Sequence, residues 1–365
     1  MKTIKLSAAM LLLAMAYVIT GCKKDKEQIA PPPHDFSSGL NDIIFIINEG
    51  NFGSGDGSVT FFRKSTHEVV QDIFKLINSR PLGDVVQSMT LSGDNGYIVV
   101  NNSHTVEVVN KNNFLSLGTI NGFAGPRFLL PISSSKAYVS DWFDNNIKVV
   151  DLNSLAITGN IPTGNGPEQM ALINNKVFVV NIGGYGIDST VTVIDANMNT
   201  VITTIQTSLN PNSVVIDANG KIWVLCNGWY GGDFQGGTSD DVAGALIEIN
   251  PETYSIEKTL MMGQFDHPFR LTINKDKNVL YYLMGVSGFD GSIYKFHINS
   301  SALPSTPLVV KNFYGLGIDP ANQDLYGAYS PVFGQSGYMF RYANNGTFKD
   351  STKVGIGPNG FVFNY

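Results

Sequence analysis

The sequence predicts an all-β fold, a seven-bladed β-propeller closed by pairing of its N- and C-terminal strands. Three observations carry that expectation. A unit of about 40 to 57 residues recurs along the chain, and self-similarity at such a period marks solenoids and propellers. Each copy holds four short runs rich in Val, Ile and Thr, separated by Asn- and Gly-rich turns, which is the pattern of an antiparallel meander. One copy is divided between the two ends of the chain.

The clearest copy begins Gly166-Pro167-Glu168-Gln169-Met170-Ala171-Leu172 and continues with runs at residues 176–181, 191–195 and 201–205, joined by Asn-Asn, Gly-Gly and Asn-Met-Asn turns. Aligned copies open at Val86-Gln87, Pro126-Arg127, Pro167-Glu168, Pro211-Asn212, Pro268-Phe269, Phe313-Tyr314 and Pro358-Asn359, which makes seven. Second strands follow at residues 97–100, 137–139, 177–180, 222–225, 280–283 and 325–328. The last opening, running to Phe363, is a first strand without a successor, whereas Ile43-Ile44-Phe45-Ile46-Ile47 is a second strand without a predecessor. Pairing residues 361–363 with 43–47 completes a ring, and a ring leaves only short, protected sheet edges. No stretch after residue 21 has the 3.6-residue periodicity that a helical solenoid requires.

In such a ring the loops before each first strand and after each second strand share one face. All the extra length is expected there: residues 49–57, 183–187, 227–244, 285–291 and 330–337, against tight turns such as Gly93-Asp94-Asn95-Gly96 opposite. The long loops carry Phe52, Trp142, Phe143, Tyr185, Trp229, Tyr230, Phe234, Phe289, Tyr329 and Phe333, with the amides Asn51, Asn101, Asn181 and Asn227. Exposed loop tips with that many rings point to a binding surface. The residue after each opening supplies a second ring around the channel on the same face: Gln87, Arg127, Glu168, Asn212, Phe269, Tyr314 and Asn359. Of these only Glu168 is acidic.

The ends speak to location. Lys2 and Lys5 precede an apolar run over residues 6–19, too short to span a bilayer, so residues 1–21 read as a secretory signal. Ile19-Thr20-Gly21-Cys22 resembles a bacterial lipobox, which implies lipidation at Cys22, and Lys23-Lys24-Asp25-Lys26-Glu27 resembles a surface-export tag. Residues 22–41, with Pro31-Pro32-Pro33, form a tether whose reach is at most about 60 Å. Residues 42–365 form the propeller. Formal charge is −6, and loss of the two signal-peptide lysines takes it to −8, which disfavours nucleic acid as a partner. With Cys22 as anchor, Cys226 has no partner for an intrachain disulfide.

Catalytic signatures are missing. The five histidines, at 34, 67, 104, 267 and 297, show no metal-ligand spacing, and Asp56, Asp188, Asp233, Asp240, Asp241 and Asp290 lie on Gly-rich loops where turn chemistry is the simpler reading. There is no Gly-x-Ser-x-Gly elbow, and Cys226 ends a buried strand with no evident base. The expectation is a non-enzyme with no metal and no cofactor. A neutral face of rings and amides suits a large, flat, amphipathic ligand, since each aromatic side chain buries about 150 to 250 Å².

Two resemblances sharpen this. Val191-Thr192-Val193-Ile194-Asp195 and Ile147-Lys148-Val149-Val150-Asp151 resemble the third strand of YVTN-type surface-layer propellers. The lipobox, charged tag, Pro-rich tether and decorated face together are similar to the BtuG family of surface cobalamin-capture lipoproteins. That resemblance implies an outer-membrane protein facing the exterior, a cobalamin or related corrinoid ligand, and a BtuB-like TonB-dependent transporter as partner. A scaffold propeller with no small ligand, and a lactonase-like hydrolase, are the other readings open to the sequence.

Overall fold

Seven antiparallel sheets of four strands each make up the chain in a computed structural model that describes residues 42–232, 235–287, 290–332 and 334–364. The lipobox, the tether, Phe234, Phe289 and Phe333 lie outside the described residues. Blade 1 draws on both ends of the chain: its innermost strand is Pro358–Asn364, followed outward by Ile43–Asn48, Ser58–Arg63 and Glu68–Val70. Ile44 faces Phe363, Phe45 faces Val362 and Ile46 faces Phe361, so the closure expected from the split repeat is present. Blades 2 to 7 follow in chain order. Their innermost strands are Val86–Ser92, Pro126–Pro131, Pro167–Ile173, Pro211–Ile216, His267–Ile273 and Gly315–Ile318.

The core is spread in layers between blades. In the second strand of blade 4, Phe178 and Val180 pack toward blade 5, while Val177 and Val179 pack toward blade 3. Both faces of a middle strand are therefore buried, which is why these strands read as unbroken apolar runs although side chains alternate. Outer strands meet solvent, and in Thr200–Gln206 only Ile205 is buried. Short turns on the far face use left-handed residues: Asn174 and Asn175, at φ 48° and 61°, make the two-residue hairpin loop of blade 4, a geometry that favours Asn and Gly.

Three features depart from expectation. Phe313 closes the outermost strand of blade 6, Val309–Phe313, and the innermost strand of blade 7 starts only at Gly315. Extra length is not confined to one face, because residues 298–308 join the third and fourth strands of blade 6 on the opposite side. A helix, Ile73–Asn78, sits in the connection from blade 1 to blade 2. Asp72 caps it by accepting from the Lys75 N–H, and Ile73 and Phe74 are buried beneath it.

Candidate functional site

Six of the seven innermost strands carry an irregularity in register just past their opening residue, in blades 1 to 6. A bulge of this kind takes one or two residues out of the ladder and re-aims them. Here it brings Gln87, Arg127, Glu168 and Asn359 together at the axial channel, which is the physical basis of the ring read from the sequence.

Those residues form a hydrogen-bonded collar. Arg127 of blade 3 grips Glu168 of blade 4 with two bonds, Nε to Oε2 at 2.8 Å and Nη2 to Oε1 at 2.8 Å, and its Nη1 donates to Gln87 Oε1 of blade 2 at 2.6 Å. On the other side the Tyr314 hydroxyl donates to Glu49, 2.9 and 3.0 Å from its two oxygens, and Asn359 Nδ2 donates to Glu49 Oε1 at 2.8 Å and to the Gln87 carbonyl at 3.1 Å. Burial opposes the charge on Arg127, but the Glu168 carboxylate, with Glu49 beyond it, holds the guanidinium above its ordinary pKa. Burial, reinforced by Glu49, pushes the Tyr314 phenol well up. The network ties residues of several blades together around the channel mouth.

Glu49 corrects the expectation that Glu168 is the only acid at the channel mouth. Asn212 points elsewhere: its Nδ2 donates to the Pro268 carbonyl at 2.9 Å, while Phe269 is buried.

Beside the collar lies an aromatic shelf. Trp142 stacks against the Arg127 guanidinium, 4.4 Å from ring centroid to Cζ, and meets Tyr185 at 5.9 Å. Phe143 and Tyr185, from neighbouring blades, stack at 5.9 Å with planes 23° apart. Tyr185 is 82% exposed and Phe143 50% exposed, so their faces are open to a ligand. The buried Trp142 Nε1–H has no acceptor among the described residues. Between shelf and collar a cavity of about 180 Å³ is lined by Arg127, Trp142, Gln169, Asn212, Arg270 and Tyr314.

The remaining expected residues are distributed differently. Phe52, on the long loop of blade 1, is 77% exposed. Trp229 is half-buried, with its backbone bridged to Val242, and Tyr230 lies 4.3 Å from the His267 ring with its hydroxyl donating to Asn227 Oδ1 at 2.8 Å. Burial pushes the Tyr230 phenol up to about 12. Tyr329 is covered by Lys311, whose Nζ is 3.9 Å from the ring centroid.

The amides Asn101, Asn181 and Asn227 hold the fold together. Asn101 Nδ2 reaches the Pro126 carbonyl at 3.0 Å, Asn227 Nδ2 the Pro268 carbonyl at 3.1 Å, and Asn181 Nδ2 bonds Thr190 and Thr192 within its own blade. Loop aspartates do turn work: Asp56 accepts from the Asn51 N–H and Asp240 from the Gly232 N–H. Among the described residues no cluster of three or more His, Cys, Asp or Glu could hold a metal ion. Cys226 is buried, and burial pushes its thiol up to about 12, leaving no thiolate at neutral pH.

Sequence reasoning missed Glu49, Gln169 and Arg270. Gln169 and Arg270 stand two residues after their blade openings, inside the bulges, and taking that second position in every repeat would have found them.

Fold and site together define a seven-bladed β-propeller with a polar axial collar and an open aromatic shelf. The chain belongs to the family described as Domain of unknown function (DUF5074), whose model matches residues 42–353. No curated protein matches it. Among solved structures it is similar to a quinonprotein alcohol dehydrogenase-like protein from Bacteroides thetaiotaomicron (TM-score 0.67, 15% identity, covering 89% of this chain and 79% of the other). It is also similar to the periplasmic gluconolactonase PpgL of Pseudomonas aeruginosa (0.63, 11%, 87% and 98%) and to the WD40 β-propeller domain of Doa1 (0.56, 11%, 79% and 86%). At such identities the likeness is one of fold, which hosts unrelated functions.

Proposed function

We propose that this protein is a non-catalytic capture protein, anchored to the outer membrane through lipid on Cys22, that holds cobalamin or a related corrinoid on the decorated face and passes it to a BtuB-like TonB-dependent transporter. The observation that carries this reading is the shelf of Trp142, Phe143 and Tyr185 beside the channel mouth, two of its rings open to solvent. A flat macrocycle laid on these rings removes apolar surface from water on both partners, and its peripheral amides meet the collar. The collar itself supports a neutral ligand, because Arg127 and Glu168 already satisfy one another.

The test is binding of cyanocobalamin by the mature domain and by a Phe143→Ala/Tyr185→Ala variant. Both side chains are exposed, so the variant should melt like the parent, while affinity should fall at least about thirtyfold, the loss of roughly 2 kcal/mol expected of interface anchors. Equal affinity in parent and variant removes the shelf from the site. Retention of the protein on membranes after Cys22→Ala would overturn the anchor.

A further inference from the structure

Next to the collar lies a second chamber of about 160 Å³, lined by Gln87, Phe128, Gln169, Arg270, Leu316 and Asn359. Space of that size admits on the order of ten waters or one small polyatomic ion. Phe128, Gln169 and Arg270 also line the mouth cavity, so the two spaces meet at these side chains.

The chamber presents donors without acceptors. Arg270 Nε donates to the Tyr314 carbonyl at a long 3.3 Å, and the guanidinium stands 5.4 Å from the Tyr314 ring centroid. Among the described residues no carboxylate pairs with it, and its Nη1 and Nη2 groups have no protein acceptor. This contrasts with Arg127 of the collar, where the two Glu168 oxygens and Gln87 engage Nε and both terminal nitrogens. Gln87 and Gln169 use their Oε1 atoms to accept, from Arg127 and from the Val214 N–H at 3.3 Å, which leaves both Nε2 groups without acceptors. The buried Asn359 Oδ1 is an acceptor without a donor.

Arg270 has an unusual backbone conformation. Its φ is 58°, a left-handed conformation that a long side chain rarely adopts, and it sits in the bulge between Phe269 and Thr272. Without the bulge, alternation along the strand would not deliver the guanidinium to the axis.

We infer that this chamber is a binding site for a small oxyanion, a phosphate or carboxylate group, with Arg270 as its charge partner and Gln87 and Gln169 as neutral donors. A guanidinium fork matches the paired oxygens of either group, and a protonated phosphate additionally satisfies Asn359 Oδ1. None of the three shelf rings lines this chamber, and the proposal does not depend on the corrinoid reading.

Isothermal titration of the full mature domain with sodium phosphate, and separately with sodium acetate, at fixed ionic strength in sodium chloride tests it and tells the two sources apart. Saturable one-to-one binding of at least one anion is expected, weakened at least tenfold by Arg270→Gln and several-fold by Gln169→Leu, with melting checked for each variant. If Arg270→Gln fails to fold, Gln169→Leu decides alone. Heats equal to dilution for both anions with the parent protein, or parental affinity in every folded variant, overturn the proposal.

Discussion

Deleting residues 358–365 removes the innermost strand of blade 1 and opens the ring. That strand contributes six register pairs to Ile43–Asn48, every residue of which is buried. With about one ladder bond per pair at about 1 kcal/mol net, the backbone loss alone is roughly 6 kcal/mol. Phe361 and Phe363, 5.7 and 5.3 Å from the Tyr326 ring, add about 1 to 2 kcal/mol each as half-buried side chains. Such a loss is comparable to the whole stability of an ordinary domain, about 5 to 15 kcal/mol. At about 2 °C per kcal/mol for a large chain, the melting temperature should fall by roughly 15 °C or more, in one cooperative step. Circular dichroism melts of the intact and truncated proteins measure this, and a synthetic 358–365 peptide should restore part of the loss. A truncated protein that melts within a degree or two of the parent would refute closure as a source of stability.

The collar and the longest loop give two further expectations. Glu168→Gln leaves the largely buried Arg127 without its counter-charge and should cost about 3 kcal/mol in denaturant unfolding, whereas Arg127→Met/Glu168→Met should cost less than either single change; a double variant as unstable as the two singles combined would contradict the pairing. Asp241 is pushed up by burial, but the Gly237 N–H and His267 outweigh this and hold its pKa below the ordinary 3.8. A depressed carboxylate stabilises above its unfolded value and loses that contribution as pH falls through the folded one, so amide exchange in residues 227–244 should accelerate only below about pH 4. In Asp241→Asn that exchange should already be fast at neutral pH, and slow exchange in the variant would sink the idea.

Legibility followed the range of the interactions. The blades were readable because local signals repeat: a Pro or apolar opening, runs such as Val177-Phe178-Val179-Val180 that feed two interfaces, and Asn-Asn turns. Closure was readable because each end lacks what the other supplies. The helix Ile73–Asn78 was missed because six residues are too few to display a helical period, and its buried Ile73 and Phe74 are adjacent in sequence. The amides misled for a different reason: Asn101 and Asn227 end the second strands where one carboxamide can bridge to the neighbouring blade, and an exposed loop amide has the same sequence signature. Glu49 joins the collar through Tyr314 and Asn359, contacts at sequence separations of 265 and 310 that no local pattern encodes.

The most direct test of the central claim is isothermal titration of cyanocobalamin into the mature, unlipidated domain at low and at high salt. One-to-one binding that changes little with salt is expected, since the shelf engages the ligand through ring surface and Arg127 and Glu168 already pair with one another. No heat and no retention of the red chromophore at micromolar protein would contradict the corrinoid reading and leave a scaffold propeller in its place.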